Sequence, residues 1–177
     1  KKAENRGVEM KVKGLYFITD SGLTRQGIIE DSRQVIEAGC RIIQYREKEK
    51  STAEMVREAT QIGALCKKNN ALFLLNDRLD VCLAVNADGV HLGQQDMPVP
   101  IARRLLGKEK IIGVTVHNVA EAEKAVREGA DYVSVSPIFH TSTKKDAGKP
   151  VGVDLVKEVK KAVRVPVAAI GGINEWN

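Results

Sequence analysis

Stacking platforms are scarce in this sequence: aromatic side chains make up 4% of its 177 residues, with a single Trp. Proteins that hold single-stranded nucleic acid lean on such rings, so the formal charge of +5 does not read as a nucleic-acid interface. Much of the excess lies in Lys1, Lys2, Lys11 and Lys13 and on a helix face bearing Lys157, Lys160 and Lys161. A modest positive field that draws small anionic substrates fits better. Cysteine is also sparse. Cys40, Cys66 and Cys82 are odd in number, at no metal-ligand spacing and among apolar neighbours, which excludes a disulfide framework. They read as reduced packing residues of a cytoplasmic protein. No apolar run approaches the roughly 20 residues that span a bilayer. Residues 1–13 lack an apolar core and read as a polar extension rather than a signal peptide, with Met10 a plausible start.

What is present is alternation. Apolar strands end at Thr19, Lys48, Asn76, Leu92, Thr115, Val135 and Ile170, and amphipathic helices follow at Ile28–Ala38, Ser51 onward, Leu79–Val85, Ile101–Leu106, Asn118–Glu128 and Val153–Val163. Ser51-Thr52-Ala53-Glu54 has capping-box spacing. Ala38-Gly39-Cys40-Arg41-Ile42, Val85-Asn86-Ala87-Asp88-Gly89-Val90 and Gly129-Ala130-Asp131-Tyr132-Val133 form a weak repeat of helix end and strand start. Repeated β-α units imply parallel strands covered by helices. Seven units in one domain, residues 14–177, favour an α/β TIM (β/α)8 barrel without its last unit over an open doubly wound sheet. Periodicity alone leaves that choice open. Asn174-Glu175-Trp176-Asn177 stands where a seventh helix is due, so about 30 further residues are expected to complete the barrel.

The unusual polar residues fall at strand ends, where barrels of this kind place their chemistry. Strand alternation sets Ile42, Gln44, Arg46 and Lys48 on one face. An amide and two cations in line suit an anionic ligand better than a core. Asp77 and Asp96 are hard oxygen ligands on adjacent strand ends, apt for Mg²⁺ shared with substrate phosphates; as lone residues they equally read as helix caps. Thr141-Ser142-Thr143-Lys144 offers three hydroxyls and an ammonium, and Gly171-Gly172 lets backbone N–H groups approach a phosphate. His117 near a helix start reads as a bystander more than as a general base.

Taken together, Gln44-Tyr45-Arg46-Glu47-Lys48, Asn76-Asp77-Arg78, Asp88 to Asp96, Gly113-Val114-Thr115-Val116-His117, Thr141-Ser142-Thr143-Lys144 and Ala169-Ile170-Gly171-Gly172-Ile173 resemble the thiamine phosphate synthase family from about Leu15 to Ile173. The resemblance implies a transferase on a TIM barrel that joins hydroxymethylpyrimidine diphosphate to a thiazole phosphate and releases pyrophosphate. It implies that Gln44, Tyr45, Arg46, Glu47, Lys48, Asn76, Thr115 and Lys144 surround the pyrimidine diphosphate. Thr141, Ser142, Thr143 and Gly172 take the thiazole phosphate, and Asp77 and Asp96 bind Mg²⁺. Arg46, Lys48 and Lys144 neutralise the leaving group. Thr115 stands where the family usually has serine and keeps the hydroxyl. The implied partners are the two small substrates, with no nucleic acid and no membrane; self-association and carboxylation of the thiazole are left open. Two other readings are a thiazole tautomerase-like isomerase, relying on a histidine near His117, and a non-catalytic phosphate-binding barrel.

Overall fold

The computed structural model describes residues 12–143 and 148–177. Strands and helices alternate as β1 (Tyr16–Ile18), α1 (Ile28–Glu37), β2 (Ile42–Tyr45), α2 (Thr52–Lys68), β3 (Leu72–Asn76), α3 (Leu79–Val85) and β4 (Gly89–Leu92). They continue as α4 (Val99–Leu106), β5 (Ile111–Val116), α5 (Val119–Glu128), β6 (Tyr132–Val135), α6 (Gly152–Ala162) and β7 (Val167–Ala169). The boundaries follow local chemistry. Ser51 and Glu54 form the capping box ahead of α2, and Asn118 accepts from the Glu121 N–H ahead of α5. Asn86 and Gly129 take the left-handed turns that end α3 and α5. Helix α4 starts two residues earlier than expected from sequence, because Pro100 fits its first turn. Strand β7 starts later, at Val167, since Pro166 has no N–H to give a ladder.

All seven strands are parallel, in the order β1-β2-β3-β4-β5-β6-β7. A doubly wound sheet reverses its order at a switch point; this sheet never reverses. Right-handed crossovers then place the helices on one side, and the other side is covered only if the sheet curls onto itself. The curl is visible in one contact. Flat, β1 and β6 would stand about 24 Å apart, yet the Tyr16 and Tyr132 hydroxyls are 2.7 Å apart. The fold is therefore the TIM-barrel type lacking a unit, as the sequence suggested.

Two cores result. Between sheet and helices lie Ile43, Tyr45, Phe73, Leu75, Val90, Leu92, Val114 and Val133 with the inner faces of the helices. Inside the curl lie Ile42, Leu72, Leu74, Ile111 and Tyr132, with Tyr16 packed against them. The three cysteines are free and buried, as expected of packing residues; burial pushes the Cys66 thiol up to about 12 and Cys82 to about 11. Among the described residues no helix is long and apolar enough to cross a membrane.

Gly113 is what lets Tyr132 reach across the interior. A Cβ at this position would stand 2.0 Å from the Tyr132 ring. Gly113→Ala should therefore force Tyr132 aside and cost about 1–3 kcal/mol as an overpacked core does. Urea unfolding of the variant checks this; an unchanged midpoint would mean that Tyr132 has room to spare.

Candidate active site

The carboxyl ends of β1 to β5 bring the predicted polar residues to one rim, and pairing rather than exposure is their common state. The Arg46 guanidinium lies 3.3 Å from Asp20 Oδ2, each side chain about one-fifth exposed. Its backbone is pinned by the buried Thr19, whose hydroxyl accepts from the Arg46 N–H at 2.9 Å. The Lys48 ammonium, carried past the end of β2, pairs with Asp77 Oδ2 just after β3. Partly exposed ion pairs of this kind are worth about 1 kcal/mol. Both cations are thus held in place.

Asp77 has φ +61°, in the left-handed region that Asp and Asn tolerate best. That turn ends β3 and swings the carboxylate over the rim. Asn76 Nδ2 donates to its Oδ1 at 2.7 Å. Burial, with the Asp96 carboxylate close enough to share a hydrogen bond, raises Asp77 above the usual carboxylate range despite Lys48. Asp96 closes a tight turn by accepting from the Gly93 N–H at 2.6 Å. Asp96 thus stands close enough to Asp77 to influence its ionisation.

At the other side of the rim, Gly171 and Gly172 lie beside the loop after β6, where Phe139 N–H donates to the Gly171 carbonyl at 2.9 Å. A Cβ on Gly172 would meet the His140 carbonyl oxygen at 2.3 Å, so only glycine fits. Thr141 follows directly and accepts from the Thr143 N–H at 3.3 Å. The hydroxyl run Thr141, Ser142 and Thr143 is thus continuous with the segment touching Gly172. Lys144 lies outside the described residues.

Three sequence expectations are placed differently. Gln44 does not reach the rim: it is 2% exposed, and its Nε2 donates to the Tyr16 hydroxyl at 2.6 Å inside the barrel. Tyr45 points the other way, by strand alternation, into the helix layer, where its hydroxyl donates to Glu58 at 2.8 Å. Glu47 is buried and braces the loop, accepting from Ser21 and from the N–H groups of Lys48 and Glu49; burial works against its ionisation, but these donors and Lys50 hold it down at about 2. Thr115 is in the rim layer with its hydroxyl 2.8 Å from His91 Nε2. His117 is taken up by Glu121 of its own helix start, at 3.0 Å from Nδ1. Sequence reasoning passed over Asp20, Tyr16, His91 and Tyr132. The last three share one signal, a polar side chain at the inward register of a strand.

The family model described as thiamine monophosphate synthase matches residues 15–177. The chain belongs to that family. It is 56% identical over 168 residues to the thiamine-phosphate synthase of Methanosarcina barkeri, covering 95% of this chain and 76% of the relative. The thiamine-phosphate synthase of Chloroflexus aurantiacus is 50% identical over 167 residues, with 92% and 76% covered. Among solved structures, thiamine phosphate pyrophosphorylase from Pyrococcus furiosus superposes with a TM-score of 0.82 at 39% identity, over 90% of this chain and 75% of that one. N-acetylmannosamine-6-phosphate 2-epimerase from Clostridium perfringens, at TM-score 0.69 and 15% identity, shares the fold alone.

In this thiamine monophosphate synthase family member, the raised Asp77 carboxyl has a consequence for stability. Its folded value exceeds the unfolded one, so at neutral pH its ionisation opposes folding, and stability recovers as pH falls through the raised value. In metal-free protein, Asp77→Asn should therefore melt at or above the wild type at pH 7, since Asn also accepts the left-handed turn. The difference should fade in acid, where Asp77 is itself protonated. Thermal melts at both pH values decide it; a clear loss at pH 7 would show that the Lys48 pair outweighs burial.

Proposed function

We propose that the chain joins 4-amino-2-methyl-5-hydroxymethylpyrimidine diphosphate to 4-methyl-5-hydroxyethylthiazole phosphate, or its carboxylated form, giving thiamine phosphate and pyrophosphate. The observation that carries this reading is the rim itself: Asp77 and Asp96 close enough to influence each other, Lys48 paired with Asp77 and Arg46 paired with Asp20, on a chain of this family. A phosphate-binding barrel needs no facing carboxylates, and an isomerase working through His117 meets a ring nitrogen already engaged by Glu121.

The donor set fits Mg²⁺. Both carboxylates are hard oxygen ligands, and a bound Mg²⁺ ordinarily leaves its other positions to water and phosphate oxygens. When bound there it supplies charge neutralisation to the diphosphate. Asp77 and Asp96 are the residues that would hold it. Lys48, released from Asp77, and Arg46, released from Asp20, then turn to the diphosphate oxygens; Lys144 is assigned to the same group.

The reaction breaks the bond between the pyrimidine methylene carbon and the diphosphate oxygen, and the electron pair leaves with pyrophosphate. The thiazole nitrogen gives its lone pair to that carbon to form the new C–N bond. Negative charge grows on the leaving group, so preorganised cations stabilise the transition state more than the ground state. Asn76 steadies Asp77, and Thr115 presents a hydroxyl from β5. Thr141, Ser142, Thr143 and Gly172 take the thiazole phosphate at the opposite rim. Gln44, Tyr45 and Glu47 support the clamp from below and behind rather than touch substrate.

One assay tests the reading: both substrates with Mg²⁺, followed by detection of thiamine phosphate. EDTA should stop the reaction. Arg46→Ala should lower turnover about a hundredfold, as loss of one preorganised donor does, and leave folding intact. Asp77→Asn and Asp96→Asn should fold and lose most activity. Undiminished synthesis in EDTA or in both Asn variants would refute the metal assignment.

A further inference from the structure

A chain of hydrogen bonds crosses the barrel interior and ends at the rim. Gln44 Nε2 meets the Tyr16 hydroxyl at 2.6 Å. Tyr16 meets the Tyr132 hydroxyl at 2.7 Å, Tyr132 meets His91 Nδ1 at 2.8 Å, and His91 Nε2 meets Thr115 Oγ1 at 2.8 Å. These five side chains come from β1, β2, β4, β5 and β6. Gln44, His91 and Tyr132 are buried, with Tyr132 fully so. Burial pushes the Tyr16 phenol up to about 12 and Tyr132 well above its usual range, so each keeps its one proton.

Single protons make the chain directional. The Gln44 amide nitrogen has only hydrogens to offer, so Tyr16 accepts from it and gives its own proton to Tyr132. Tyr132, having accepted, gives its proton to His91 Nδ1. That nitrogen is then the bare one, and the proton of the neutral ring sits on Nε2. Nε2–H donates to Thr115 Oγ1, and the threonine's proton is left to point elsewhere. The Gln94 amide, which donates to the Thr115 carbonyl at 2.6 Å, steadies the same residue from above. Were the Gln44 amide turned over, every bond would reverse and the Thr115 proton would be drawn down onto His91.

We propose that His91 is a positioning residue: held as the Nε2–H tautomer through Gln44, Tyr16 and Tyr132, it turns the Thr115 hydroxyl into a hydrogen-bond donor toward an acceptor on the bound pyrimidine diphosphate. The substrate half of this statement rests on the function proposed above; the tautomer does not. The network spends its buried polar groups on one outcome, a rim hydroxyl with a fixed direction, and no reorientation is left for the moment of binding.

Nitrogen-15 NMR of the intact protein reads the tautomer directly. His91 is identified among the three histidines as the signal lost in His91→Asn. The expected pattern is a bare Nδ1 and a protonated Nε2 at neutral pH; a protonated Nδ1 overturns the proposal whatever the variants do. Kinetics supply the second arm. Thr115→Val should raise KM for the pyrimidine diphosphate about tenfold, the worth of one hydrogen bond, and Thr115→Ser should restore it. Tyr132→Phe should raise KM similarly with little change in kcat, and should add nothing in the Thr115→Val background. An equal Tyr132→Phe penalty with and without the hydroxyl would make Tyr132 and His91 merely structural and sink the relay. An unchanged KM in Thr115→Val, with the expected tautomer present, would instead overturn the assignment of the rim to this substrate.

Discussion

Two phenol oxygens 2.7 Å apart hold the centre of this molecule. Tyr16 on β1 and Tyr132 on β6 meet because a singly wound parallel sheet has one helix-free face and only itself to cover it. Tyr132 is fully buried and Tyr16 partly so, and a buried polar group left alone costs about 1–3 kcal/mol. The partners found are Gln44 below and His91 above, and no buried side-chain nitrogen or oxygen among the described residues lacks a hydrogen bond. Gly113 makes the arrangement possible by giving up its own volume to the Tyr132 ring. The curl of the sheet, the packing of its interior and the orientation of a rim hydroxyl are therefore parts of one constraint.

Above that layer the chemistry changes from satisfied to provisional. Arg46 with Asp20 and Lys48 with Asp77 are partly exposed pairs, which under the proposed function exchange for a diphosphate. Asp77 carries opposing influences, burial and Asp96 raising it and Lys48 lowering it. A site of this type stores its charge in compensated form, and the incoming ligand changes partners rather than meeting bare ions. The neighbouring loop that carries Thr141 is bonded to itself, Thr141 accepting from the Thr143 N–H.

The alternation of β and α, the caps at Ser51 and Asn118 and the strand ends bearing Asp77 and Asp96 were legible without coordinates. They depend on local rules: side-chain periodicity, capping geometry and the placement of loops at strand ends. The family likeness was legible for the same reason, since its motifs occupy those ends. What misled was extrapolating one face of β2 past the end of the strand. Strand β2 stops at Tyr45, short of Arg46 and Lys48; the barrel wall has a top and a floor, and the sequence carries no sign of where the rim begins. Gln44 falls one layer down and serves Tyr16; Arg46 and Lys48 clear the edge.

The sequence by itself determined the elements, their alternation and the residue types available at each strand end, because those follow from interactions within a few residues. Only the tertiary structure decided which of these residues meet. Tyr16, Gln44, His91, Thr115 and Tyr132 are separated by as many as 116 positions and become neighbours through curvature alone. Curvature is a property of the whole sheet, set by strand order and by a single missing side chain at Gly113, and no local pattern encodes it. The direction of the proton chain that reaches Thr115 is decided at the same level, because it needs every donor and acceptor in place at once.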